Sequence, residues 1–418
     1  MNKEQKLVPE LRFPEFVNEG EWVEKTLNKF GNLINGLTYS PEDIRENGLL
    51  VLRSSNVQNG QIDLDDCVYV KPDVKGANLA QPDDILVCIR NGSKALIGKN
   101  AIIPKGIPLA THGAFMTVFR AESPKFVFQL FQTDAYNNQV NADLGATINS
   151  INGGNFLKYK FPTPKSAEQQ KIASCLSSLD ELINAQTQKL DALKDHKKGL
   201  MQQLFPAEGE TVPKLRFKEF ENDGEWVGKS MDSLTIKISD GIHTTPNYDD
   251  AGEYFFINGN NLIDGKILID EKTKRVSEHE YIIHKRNLDD STILLSINGT
   301  IGNLAIYNNE KVILGKSACY INVDMEKIEK NFVVYFIQTD FVSNYFNSEL
   351  TGSTIKNLSL KSIKETIVKV PPKPKEQQKI ANFLSSIDEE ITAQTQKIEA
   401  LKEHKKGLMQ GLFPVMSS

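Results

Sequence analysis

The side chains best suited to chemistry are few, and their spacing does not favour it. Four cysteines, Cys67, Cys88, Cys175 and Cys319, form no CxxC pair, and no histidine falls at ligand spacing beside them. Neither a zinc module nor a disulfide frame is expected, and no metal is assigned. Gly315-Lys316-Ser317 ends like a phosphate-binding loop, but Glu310 stands where that loop needs its first glycine. The Pro-Pro of Val370-Pro371-Pro372-Lys373 lacks the flanking polar and aromatic residues of a DNA methyltransferase, and neither a GxSxG elbow nor an HExxH pair appears. His196 and His404 each lie beside Lys-Lys, which suits a solvated helix face or a partner contact, and His112 and His243 are unpaired. The chain therefore reads as a binding protein with no catalytic residue.

Composition bounds the elements that carry these side chains. At 418 residues, with 39% hydrophobic and 25% charged residues, the chain predicts two or three soluble globular domains. A polar start and the lack of a long apolar run predict a cytoplasmic protein with no membrane span. Lys plus Arg number 49 against 54 Asp plus Glu, for a net charge of −5, which is not the basic signature of a nucleic-acid binder.

The frame is a duplication. Val8–Leu27 recurs as Val212–Met231 with 13 identities in 20, and Trp22 and Trp226 occupy the same place in each copy. Glu168–Pro206 recurs as Glu376–Pro414 with 30 identities in 39. Between these blocks the copies have drifted, although patches still align: Leu52–Ile62 with Ile257–Ile267, Gln132-Thr133-Asp134 with Gln338-Thr339-Asp340, and Gly145–Ile148 with Gly352–Ile355. Asn59-Gly60 and Asp264-Gly265 predict two-residue hairpins, and Asn91-Gly92 and Asn298-Gly299 follow apolar strands at matching positions. Phe126–Tyr136 and Asn331–Phe346 have a helical look, so each variable segment reads as a mixed α/β domain.

The second block predicts a long helix. Ile172, Leu176, Leu179, Ile183, Gln186, Leu190, Leu193, Lys197, Leu200 and Leu204 follow a strict 4, 3 spacing. Ile380, Leu384, Ile387, Ile391, Gln394, Ile398, Leu401, Lys405, Leu408 and Leu412 repeat it slot for slot. A sustained period of 3.5 is a coiled-coil seam. At about 1.5 Å per residue the seam spans about 48 Å, too far for the short linker at 205–211 to return to its start, so the helices pair antiparallel. The expected architecture is α+β: two tandem globular heads held apart by an antiparallel two-helix spacer with pseudo-twofold symmetry. Gln186 and Gln394 set register, and Lys197 and Lys405 snorkel. The boundaries are 1–165 and 207–373 for the heads, and 166–206 and 374–418 for the spacer helices.

Duplicated halves opened by LRFPEF…EWVEKTL or LRFKEF…EWVGKSM and closed by EQQKIA…QTQK…HKKGLMQ.LFP resemble the specificity subunit of Type I restriction-modification systems, the HsdS family. The resemblance covers nearly the whole chain. It implies that each variable segment is a target recognition domain for one half of a bipartite, asymmetric double-stranded DNA site. It further implies that the repeated helices dock two modification (methyltransferase) subunits and, through them, restriction subunits. S-adenosylmethionine, ATP and Mg then belong to those partners, and this chain carries no cofactor. The alternatives are a recognition subunit of a Type II or non-cutting phage-defence methylation system, and a coiled-coil adaptor that does not bind DNA.

Under this resemblance, base readers are sought among polar loop residues. In the first head these are Thr38, Tyr39, Ser40, Arg53, Ser54, Asn56, Arg90, Asn91, Ser93 and Lys94. In the second they are His243, Thr244, Thr245, Asn258, Asn260, Asn261, Asn298, Thr300, Lys356 and Asn357. Each is equally a residue type that forms turns. Lys plus Arg against Asp plus Glu is 14 to 12 in residues 28–165 and 16 to 19 in residues 232–373, so neither head is basic as a whole. The run Lys272, Lys274, Arg275, Lys285 and Arg286 is the candidate basic face.

Overall fold

The computed structural model describes residues 7–144, 149–352 and 356–415. The aligned patches Gly145–Ile148 and Gly352–Ile355 fall wholly or largely outside these residues. The chain forms two compact units, one of residues 1–187 with 396–418, the other of residues 188–395.

In the first unit an antiparallel sheet runs in the order Gly31–Asn35, Met116–Ala121, Ile85–Cys88, Asn100–Ile102. A second sheet runs Ala110–His112, Leu49–Leu52, Val68–Val70, Ile44–Arg45, with its first pair parallel. Ile85–Cys88 is apolar on both faces and fully buried, as expected of a strand packed on each side. Burial pushes the thiol of Cys88 above its ordinary range, so it stays neutral in the sheet.

The second unit repeats the topology. Its antiparallel sheet runs Thr235–Asp240, Ala318–Val323, Thr292–Ser296, Leu304–Ile306, and its three-stranded sheet runs Arg275–Val276, Tyr254–Ile257, Val312–Leu314, again with one parallel pair. Both expected hairpins form. Asn59 (φ 50°) and Gly60 (φ 77°) join Val57–Gln58 to Gln61–Ile62, and Asp264 (φ 50°) and Gly265 (φ 78°) join Leu262–Ile263 to Lys266–Ile267. Positive φ at both central residues is what a type I′ turn requires. Each helical stretch is in fact two helices, Pro124–Leu130 with Asp134–Asp143, and Lys330–Ile337 with Asp340–Ser348. The break is the repeated Gln-Thr-Asp. Thr133 and Thr339 cap the second helix of each pair by accepting from the backbone N–H of Tyr136 and Val342, and Asp134 and Asp340 sit at its positive end.

The repeated blocks build a hub in each unit. The strand of the opening block pairs antiparallel with the strand before the long helix, Val23–Thr26 with Lys160–Thr163 and Val227–Ser230 with Ile367–Val370. Arg12 grips both carboxylate oxygens of Glu168 at 2.8 Å, and Arg216 grips those of Glu376 at 2.7 Å. Each glutamate lies in the first turn of its helix. Trp22 meets Phe413 edge-on at 6.2 Å, and Trp226 meets Phe205 in the same way. Each tryptophan thus receives the phenylalanine that ends the other copy's helix.

The long helices are Ser166–Leu204 and Pro374–Leu412. All twenty seam positions are buried or half-buried, while His196 and His404 are exposed. In the first unit the start of one helix meets the end of the other, with Lys405 Nζ donating to Asp180 at 2.6 Å. In the second unit the end of the first helix meets the start of the second, with Lys197 Nζ donating to both oxygens of Asp388 at 2.6 and 2.8 Å. The pairing is therefore antiparallel. Lys197 and Lys405 do not snorkel: each is largely buried and held by a carboxylate on the opposite helix. Among the described residues no helix is long and apolar enough to cross a membrane.

Candidate nucleic-acid interface

In the first unit, backbone pairing gathers four loops at one place. Leu37 N–H donates to His112 O and Ala114 N–H to Leu37 O, which ties the Thr38 loop to the Gly113–Phe115 turn. Ile89 and Arg90 N–H both donate to Phe115 O at 3.1 Å. Asn91 then bridges outward: its amide donates to Ser54 Oγ at 3.1 Å and its backbone N–H to Asn149 O. Thr38, Arg90 and Ser93 are exposed on this platform, Lys94 is exposed beside them, and Ser54 and Asn91 are half-buried.

Several candidates have their polar atoms engaged within the loops. Asn56 is 1% exposed. It accepts from Arg53 N–H and donates to the carbonyls of Asp63 and Asp66. Its assignment as a base reader is corrected to that of a loop-former, because its amide is buried and satisfied. Ser40 caps the short turn Pro41–Asp43, and the ammonium of Lys71 holds the Asp43 carboxyl down to about 2. Tyr39 packs on Leu37, Leu49, Val51 and Val70, and Arg53 pairs with Asp66 at 2.7 Å.

The second unit gathers the equivalent loops with different side chains. Ile242 N–H donates to Leu314 O, and Ile297 N–H donates to Ser317 O at 3.0 Å. Ser317 Oγ donates to Asn258 Oδ1 and accepts from Gly259 N–H, both at 2.9 Å. His243, Thr244, Thr245, Asn260, Thr300 and Lys356 are exposed. His243 Nε2 lies 2.8 Å from Asp240. Asn258 and Asn261 hold the loop together, with Asn261 playing the part of Asn56. Asn298 and Asn357 form an antiparallel bridge, and Asn357 pairs with Thr351 through both backbone groups.

Of the run read as a candidate basic face, Lys272, Lys274, Arg275 and Lys285 are exposed. Lys274 lies over the Tyr248 ring at 5.7 Å, Arg275 over Phe255 at 4.9 Å, and Arg286 donates to Asp240 O. Two of these cations rest on aromatic rings and the third donates to a carbonyl.

Phe115, Asn149, Lys316 and Ser317 stand on the platforms and were not singled out as readers from sequence. Gly315-Lys316-Ser317 leads into the strand Ala318–Val323, whereas a phosphate loop leads into a helix. A Cβ at Gly315 would lie 2.2 Å from Asn258 Oδ1. The signal available was the alignment of Gly113-Ala114-Phe115 with Gly315-Lys316-Ser317.

A family model described as the Type I restriction modification DNA specificity domain matches the chain twice, over residues 19–195 and 227–403. The chain is similar to the Type I restriction enzyme EcoKI specificity subunit of Escherichia coli K12, at 24% identity over 88% of this chain and 82% of the relative. It is similar to the StySPI specificity subunit of Salmonella potsdam at 25% over 84% and 79%. The putative MjaX specificity subunit of Methanocaldococcus jannaschii is 26% identical over 93% and 92%. Among solved structures, the S subunit of a Type I restriction-modification system from M. genitalium superposes with a TM-score of 0.62 at 16% identity, over 98% of this chain and 100% of that one. A chain from a study of complex assembly and conformational transition of the Type I system superposes with a TM-score of 0.52 at 15% identity, over 94% and 97%. At these identities the two superpositions speak for the fold.

Proposed function

The chain belongs to the Type I restriction-modification DNA specificity family, and from that premise we propose that it reads a bipartite, asymmetric DNA target, one half-site to each head. The observation that carries this reading is a single backbone frame bearing two different sets of loop side chains. The bond from Ile89 N–H to Phe115 O in the first head is matched by that from Ile297 N–H to Ser317 O in the second, and the next residue outward is Arg90 in one and Asn298 in the other, so the scaffold is shared and the presented chemistry is not.

In this reading, two modification subunits dock along the repeated helices and supply S-adenosylmethionine chemistry. Restriction subunits join through them with ATP and Mg. The exposed loop residues Thr38, Arg90, Ser93, Lys94, His243, Thr244, Thr245, Asn260, Thr300 and Lys356 face the DNA, while Lys and Arg from the partners supply much of the phosphate contact. With a net charge of −5, the chain alone binds DNA weakly and with strong salt dependence.

Helix length acts as the ruler between half-sites. One heptad inserted into each long helix adds about 10 Å, about three base pairs of unread gap at 3.4 Å each. Methylome sequencing of cells carrying the complete system tests this. The expected result is a longer gap with both half-sites unchanged. A changed half-site with an unchanged gap overturns the reading.

A further inference from the structure

Phe115 is 58% exposed. Its neighbour Met116 is buried at the start of the central strand, so the chain turns the phenylalanine outward while anchoring the next residue. Its carbonyl accepts from the N–H of both Ile89 and Arg90, and the turn beneath it closes through Met116 N–H to Gly113 O. The Arg90 guanidinium lies 5.8 Å from the ring centroid, and Arg90 itself is exposed. A guanidinium resting on a ring is already ordered, so less freedom is lost when its fork meets a ligand. In the second head the same frame carries Asn298, half-buried and bridged to Asn357, and Ser317, whose hydroxyl turns inward to Asn258.

We propose that Arg90 and Phe115 form the specificity-determining pair of the first head, acting in the major groove. Arg90 donates its fork to O6 and N7 of a guanine, and the Phe115 ring packs on the methyl group of an adjacent thymine. These are the base-edge partners that suit a planar bidentate donor and an apolar surface. The inference rests on the DNA reading above. It predicts that the half-site of the first head contains a guanine next to an A·T pair.

The test uses the complete system with its partner subunits, comparing wild type, Arg90→Lys, Phe115→Ser and an exchange of residues 28–163 for another chain's head. Phe115→Ser installs the residue that the second head carries in the same frame. Assembled complexes are titrated by competition with duplexes altered one base pair at a time, and the methylome is sequenced in parallel. Arg90→Lys is expected to lower discrimination at the guanine by about ten- to a hundred-fold. Phe115→Ser is expected to relax the neighbouring A·T pair, and the other half-site stays as it was. A first half-site without a guanine beside an A·T pair, or unchanged discrimination in both variants, overturns the proposal. If the head exchange itself leaves both half-sites unchanged, the DNA reading fails. If it alters one half-site while both point variants do not, only the present inference fails.

Discussion

The Arg12–Glu168 pair offers a test of what holds a head to its helix. The side chains are 8% and 2% exposed, and two bonds of 2.8 Å join them. The hydrogen bond to Glu168, more than simple charge attraction, raises the guanidinium above its already high range. Glu168→Ala leaves that cation buried without its counter-ion. Breaking such a pair from one side costs about 3–5 kcal/mol. Arg12 still donates to the carbonyls of Glu19 and Gly20, so we expect the lower end, about 3 kcal/mol. With two units the unfolding is not two-state, but each unit has one tryptophan, 3% exposed. In a Trp226→Phe background Trp22 reports the first unit alone. With a urea slope of about 2 kcal/mol/M, the midpoint falls by about 1.5 M. Because a buried ion pair exchanged for apolar side chains is often close to neutral, Arg12→Met/Glu168→Met is expected to lose far less than the sum of its single variants. A double variant that loses the full sum refutes the reasoning.

His112 is fully buried and replaced by Leu314 in the second unit's equivalent strand. Burial lowers its pKa, and Nδ1 has no partner. The native state therefore binds fewer protons than the unfolded chain, and stability present above about pH 6.5 is lost as pH falls through the folded pKa. Urea midpoints read by Trp22 should drop between pH 7 and 5, and His112→Leu should flatten that slope. Thr339→Ala removes a helix cap and should cost about 1 kcal/mol, seen as a lower midpoint in the Trp226 signal. Asp388→Ala strips the acceptor shared by Lys197 and the Tyr335 hydroxyl. It should cost about 1 kcal/mol, since Asp388 is 40% exposed; an unchanged midpoint would show that the pair does not hold the helices together.

Duplication, hairpins and the antiparallel seam were legible because each leaves a local or periodic trace. Asn59-Gly60 and Asp264-Gly265 specify positive φ by residue type, and the 4, 3 spacing specifies a helix face. Long-range partners left no such trace. Arg12 and Glu168 recur in both copies, but offset alone does not say that Arg12 meets Glu168 or that Trp22 meets Phe413. The seam lysines were misread because their carboxylates lie on the other helix. Among the loop residues, polarity did not separate Asn56, spent on three backbone partners, from the exposed Thr38. Phe115 was missed because a search for hydrogen-bonding side chains passes over an aromatic ring.

The exchange of phenylalanines between the two hubs also sets an order of synthesis. Trp226 finds Phe205 only 21 residues before it, so the second unit draws on one continuous stretch of chain. Trp22 must wait for Phe413, 391 residues later. At 5–20 residues per second that delay is about 20–80 s, during which the indole and the apolar residues around it lack their closing ring. The head made first is thus the head completed last.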